Sequence, residues 1–138
     1  MKLADLLKAL LKHNKTGNGY QIQLNSGNLD DKSNKHTDVE LGDLYFTECN
    51  TLKGTTLLCF GNMGKKPIGQ SEDGTDLYPC EINNQIFLDM NKIEDIEQVE
   101  DFEDWFIYPS TKVVNIYMFP ENDNLTGKRN VITVGFMS

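Results

Sequence analysis

Arginine is nearly missing from this chain of 138 residues: Arg129 is the only one among thirteen basic residues. Surfaces that read phosphate lean on the forked guanidinium, so nucleic-acid binding is disfavoured. Histidine is scarce as well. His13 and His36 stand alone, with no His or Cys at metal-ligand spacing and no HExxH. The three cysteines, Cys49, Cys59 and Cys80, are an odd number without a CxxC pair. The expectation is reduced thiols in a cytoplasmic protein, with Cys59 buried inside the apolar run TTLLCF. No apolar run approaches the ~18 residues a membrane span requires. The opening MKLADLLKALLKHN fails as a secretion signal: Asp5, Lys8 and Lys12 interrupt it, and no small-residue cleavage site comes after it.

What is present is acid, and it is unevenly laid out. Net charge is −8. Residues 1–37 carry six lysines against three acids, a net of +3. Residues 38–104 carry sixteen acids against four lysines, a net of −12, and residues 105–138 a net of +1. Glu94–Asp104 (EDIEQVEDFED) holds seven carboxylates and no base: Glu94, Asp95, Glu97, Glu100, Asp101, Glu103 and Asp104. Such a run repels nucleic acid and anionic lipid and attracts basic proteins. With 38% hydrophobic residues and seven Phe, the chain is long enough for one domain, 1–138, with a core independent of disulfides or metal.

Hydrophobic periodicity sets out the elements. Leu3, Leu6, Leu7, Leu10 and Leu11 fall at i, i+3, i+4, i+7 and i+8, predicting an amphipathic helix of about three turns that ends at the run Asn14–Gly19. Tyr20–Leu24 alternates as a half-buried strand, and 25–37 reads as a long exposed loop. Strands are expected at 39–41, 44–49 and 55–60, then a glycine-rich loop over 61–76 with a brief strand near 67–70. Leu77–Ile82 and Gln85–Met90 flank Asn83-Asn84 and predict a hairpin. In the acidic run Ile93, Ile96, Val99, Phe102 and Trp105 recur every third position, which drifts by about 60° per step on an α-helix. One or two short helices, with room for a 3₁₀ turn, are therefore expected near 91–105. Lys112–Phe119 alternates as a strand buried on both faces, and Val131–Met137 is a last strand. The expected fold is α+β: a mainly antiparallel sheet of about six or seven strands, an N-terminal helix and a short acidic helical segment.

Catalytic and cofactor patterns fail on inspection. Gly61–Lys66 has the wrong spacing for a phosphate loop, and Pro67 stands where a helix should begin. Glu72–Asp76 carries oxygen ligands and a glycine but lacks the regular positions and closing Glu of a calcium loop, so a turn at Asp73-Gly74 explains it more simply. His13, at a helix C-terminus, reads as a capping residue and His36 as solvated. No cofactor or metal is expected. The acidic run itself has three readings: a solvated face that aids solubility, a docking surface for a basic protein, or, least favoured, a metal-binding segment.

A small acidic domain of this kind fits a protein inhibitor whose carboxylates occupy the basic site of a nuclease. The profile resembles bacterial immunity proteins that neutralise contact-dependent or other polymorphic toxins. Leu57–Asn62, Asp73-Gly74 and Val99–Phe106 are also similar to the latter half of SUKH-type immunity domains. The chain departs from that family in lacking its long N-terminal helical region and in placing two strands after the acidic segment, so its fold is not carried over. The resemblance implies a cognate toxin with a basic surface as partner, no nucleic acid and no membrane. The partner-binding residues expected are Glu94, Asp95, Glu97, Glu100, Asp101, Glu103, Asp104 and Tyr108, with Trp105 and Phe106 more at home in the core. The alternatives are a small enzyme or ligand-binding domain whose site converges only in three dimensions, and a DNA mimic from a mobile element.

Overall fold

The structure is a computed structural model that describes residues 1–28, 35–50, 56–63, 69–77, 80–102, 105–106, 108–120 and 128–138. Helix α1 (Leu3–Asn14) comes first, followed by β1 (Tyr20–Asn28), β2 (Lys35–Asn50), β3 (Thr56–Met63), β4 (Gly69–Gln70), β5 (Asp76–Leu77) and β6 (Cys80–Asp89). A 3₁₀ turn, Met90–Lys92, leads to β7 (Ile93–Val99), β8 (Ser110–Met118) and β9 (Lys128–Met137). Seven strands form one sheet in the order β6-β3-β2-β1-β9-β8-β7, with every pairing antiparallel, while β4 and β5 make a separate two-residue ribbon. The α+β class and the N-terminal helix are as expected. The strands among the described residues exceed the six or seven anticipated, because the glycine-rich loop contributes both ribbon strands.

Connectivity forces the sheet to curl. Strands β6 and β7 lie at opposite edges, which in a flat sheet of seven would sit about 29 Å apart. Only Met90–Lys92 join them, and three linking residues reach at most about 14 Å. The long strand β2 makes the bend: its first part pairs with β1 and its second with β3. The concave side holds the core. Tyr20, Ile22, Leu44, Phe46, Leu58, Phe60, Leu88, Ile96, Val114, Ile116, Ile132, Val134 and Phe136 meet there, with Leu6 and Leu10 of α1 packed against them. Tyr20 makes edge-on contact with both Phe60 and Phe136, with ring centroids 5.5 and 5.2 Å away, an arrangement that suits aromatic quadrupoles.

Several sequence expectations change. The buried stripe of α1 is Leu6, Leu10 and His13, while Leu11 is 54% exposed. The His13 ring lies against Tyr20 and Phe136 and its Nε2 bonds the Gly19 carbonyl (3.0 Å), so it is a packed residue rather than a surface cap. Within the loop expected over 25–37, residues 25–28 belong to β1 and 35–37 to β2, which also places His36 in a strand. The two strands expected within 39–49 are one. Asn83-Asn84 make no hairpin: β6 continues through them, and a bulge takes up the extra residues between the pairs Phe60↔Ile86 and Asn62↔Glu81. The main correction concerns the acidic run. Apart from the 3₁₀ turn, its described residues are not helical: Ile93–Val99 is an edge strand, and Glu100, Asp101 and Phe102 beyond it are irregular. A bulge between Ile93 and Asp95 shifts the alternation, so Ile93 and Ile96 turn to the same concave side despite a separation of three. That bulge accounts for the first step of the three-residue spacing; Ile96 and Val99, in regular register with Ile116 and Val113, face opposite sides.

Candidate functional site

The convex face of the sheet, opposite the apolar core, carries polar side chains that are nevertheless buried. Along β1 the alternation Gln21, Gln23, Asn25 points there, and these residues are 3%, 9% and 3% exposed. Alternation alone assigns them to the solvent side of a half-buried strand, so they are the least expected members of the site. A row of side-chain hydrogen bonds crosses five strands. The Thr37 hydroxyl donates to Asn25 Oδ1 (2.7 Å), and Asn25 Nδ2 donates to Thr133 Oγ1 (2.8 Å). The Thr133 hydroxyl donates to Asn115 Oδ1 (2.6 Å), and Asn115 Nδ2 donates to Glu97 Oε1 (3.1 Å). Every bond runs the same way and the last acceptor is a carboxylate, so each group polarises the next. Buried amides need partners, and here the ladder supplies them.

The described carboxylates of the acidic run are exposed, but three of them also have partners within the fold. Glu97 takes, besides Asn115, the hydroxyl of Tyr117 (3.1 Å). Glu94 is ion-paired with Arg129. The chain's single arginine, buried on β9, passes over the Tyr117 ring, 5.5 Å from its centroid, to reach the acidic strand. Asp95 Oδ1 accepts the N–H of Ile96 (2.9 Å). Acid and bulge together blunt the edge strand against pairing with other chains. Glu100 and Asp101 are exposed beyond the strand. Glu103 and Asp104 lie outside the described residues.

Trp105, Phe106 and Tyr108 form a strap over the convex face before the chain returns to β8. Two glutamines hold it. Gln21 Nε2 donates to the Tyr108 carbonyl (2.8 Å) while its Oε1 accepts the Tyr108 N–H (3.1 Å), a two-way bond that fixes the amide's orientation. Gln23 Nε2 donates to the Trp105 carbonyl (2.7 Å) and to Glu40 (3.3 Å). Phe106 rests on Gly135, where an added Cβ would sit 2.8 Å from the ring. Phe106 and Trp105 are partly buried, whereas Tyr108 is 55% exposed. Of the eight residues expected to bind a partner, the six that the structure describes, Glu94, Asp95, Glu97, Glu100, Asp101 and Tyr108, are all exposed, and Glu94, Asp95 and Glu97 also hold partners within the fold.

Burial pushes the Tyr117 phenol up to about 12, and the neighbouring Glu97 charge adds to the rise; burial alone raises Tyr20. A phenol whose pKa is higher in the fold than in the unfolded chain stabilises the fold fully below the unfolded value of 10.0. That contribution is lost as pH rises from there towards about 12. Stability should therefore fall across that window in pH-dependent urea unfolding, and Tyr117→Phe should flatten the fall. An unchanged slope would contradict the assignment.

Among the described residues, no group of three or more His, Cys, Asp or Glu is placed to hold a metal. Asp73, read from sequence as part of a turn, accepts the Ser71 hydroxyl and the Thr75 N–H (3.1 Å), with Gly74 at φ +84°. Those bonds, the Ser71 hydroxyl foremost, hold its carboxyl below the usual range. No helix of the described residues is long and apolar enough to cross a membrane. No family model, curated protein or solved structure matches the chain.

Proposed function

We propose that this chain is a protein-binding module of the immunity type, acting in the bacterial cytoplasm by occupying the basic active site of a cognate toxin, a nuclease. The reading assigns it binding rather than catalysis. One observation carries it: the two-way bond by which buried Gln21 grips the backbone of Tyr108. A solvated acidic segment kept only for solubility has no need of a fixed backbone. A recognition surface gains from one, because ordering is completed before the partner arrives. Tyr108 supplies a rigid, exposed aromatic anchor. Glu100 and Asp101, a few residues before it, supply the field that steers a basic partner. Glu94, Asp95 and Glu97 then serve as supports for the neighbouring sheet edge rather than as the contact itself.

The reading expects a toxin domain encoded beside this gene, and that domain is the test. Co-expression with the wild-type chain should restore growth. The double charge reversal E100K/D101K should slow association by about tenfold or more at low salt, an effect that shrinks as ionic strength rises. A toxin left active by the wild-type chain, or association indifferent to both the reversal and salt, would overturn the reading.

A further inference from the structure

A second site lies away from the acidic strap, on the other side of the sheet. Between α1 and the ends of β8 and β9 is a cleft of about 340 Å³ lined by Ala9, Lys12, His13, Thr16, Thr111, Lys112 and Phe136. No carboxylate of the described residues lines it, in a chain of net charge −8. Lys12 is explained by the helix dipole, which favours cations in the last turn. Lys112 is not: it comes from β8, on the opposite wall, and its ammonium sits 5.9 Å from the centroid of the Phe136 ring. Neither lysine has a carboxylate partner among the described residues. His13 adds a third group. A carbonyl can only accept, so the Nε2 that meets the Gly19 oxygen is the donor. The residue lines the cleft beside the two lysines and is 8% exposed. The Thr16 hydroxyl is already donated to the His13 carbonyl (2.7 Å), and that of Thr111 to the Phe136 carbonyl (3.4 Å). The free donors are therefore the two ammonium groups, above a floor of Ala9 and Phe136.

We infer that this cleft binds a small organic carboxylate, its anionic group between Lys12 and Lys112 and its apolar body on the Phe136 ring. This site is independent of the strap and of the toxin-binding reading. The probe is benzoate, added to the ¹⁵N-labelled full chain and followed by amide chemical shifts. Saturable shifts at His13, Thr111, Lys112 and Phe136 are expected. Neutral benzamide, of the same shape, should bind about tenfold more weakly or worse, and Lys12→Met and Lys112→Met should each weaken benzoate similarly. Lys12 is exposed, so its variant keeps the fold and the comparison. Equal shifts with benzamide, no saturation with benzoate, or full affinity in both lysine variants would overturn the assignment. Inorganic phosphate binding as tightly as benzoate would overturn the apolar half of it.

Discussion

Thr133→Val should lower the unfolding free energy by about 3 kcal/mol, although it replaces one β-branched residue with another of nearly the same volume. Thr133 is fully buried at the centre of the five-strand ladder, where its hydroxyl both accepts from Asn25 and donates to Asn115. Valine takes an acceptor from one buried amide and a donor from the other, and each such loss costs roughly 1–3 kcal/mol. In urea the midpoint should move down by about 1.5 M with an unchanged slope. Thr133→Ser keeps the hydroxyl and loses one methyl, so it should stay within about 1 kcal/mol of wild type. If the valine and serine variants unfold alike, the ladder contributes nothing beyond packing. Truncation at the carboxylate end, by Glu97→Leu, should loosen β7 itself, because Glu97 is where the ladder and the Tyr117 hydroxyl converge.

Gly135→Val should release the strap. The glycine lies on β9 beneath Phe106, and even a methyl group there would come within 2.8 Å of both the Phe106 ring and the Ser110 hydroxyl oxygen. Valine adds two more carbons to that contact. The sheet pairing of β9 with β1 and β8 holds the backbone in place, so the ring must leave. The expected cost is about 2–3 kcal/mol. The more telling readout is hydrogen exchange at the Tyr108 amide, which donates to Gln21: its protection should be lost while that of the core strands is kept. Combining Gly135→Ala with Phe106→Leu should recover part of the protection, since the smaller side chain yields the space. Under the toxin-binding reading the valine variant also weakens the complex without altering one carboxylate. Retained protection at Tyr108 would show that the strap does not depend on this contact.

The ladder and the strap mark the boundary between what local sequence reveals and what it hides. Strand β8 is legible because from Val113 to Met118 both of its faces are apolar or aromatic apart from Asn115, a pattern that means burial on either side. Helix α1 is legible from its leucines, though His13 takes the place expected of Leu11 because the chain turns back at Gly17 and brings Tyr20 and Phe136 against the imidazole. In the acidic run a bulge near Glu94 offsets an alternating strand by one residue, so Ile93 and Ile96 share a face at a separation of three, and a bulge leaves no local signature there. Gln21, Gln23 and Asn25 imitate a wet face. Their polarity is real, but their partners are a strap over 80 residues further on and threonine side chains from other strands.

The sequence by itself determined the class of fold, the N-terminal helix, the antiparallel strands and the concentration of acid in one segment, because these depend on local periodicity and composition. Tertiary structure alone decided what the acid does. Charge repulsion within Glu94–Asp104 is visible in one dimension; its relief is not. The only arginine, 35 positions from Glu94, becomes its partner once β9 and β7 flank β8. Glu97 ends a hydrogen-bond ladder that begins on β2, and Asp95 blunts an edge that the order of the strands creates. Pairing energies depend on distance in space, and strand order, set by long-range packing, brings these groups together.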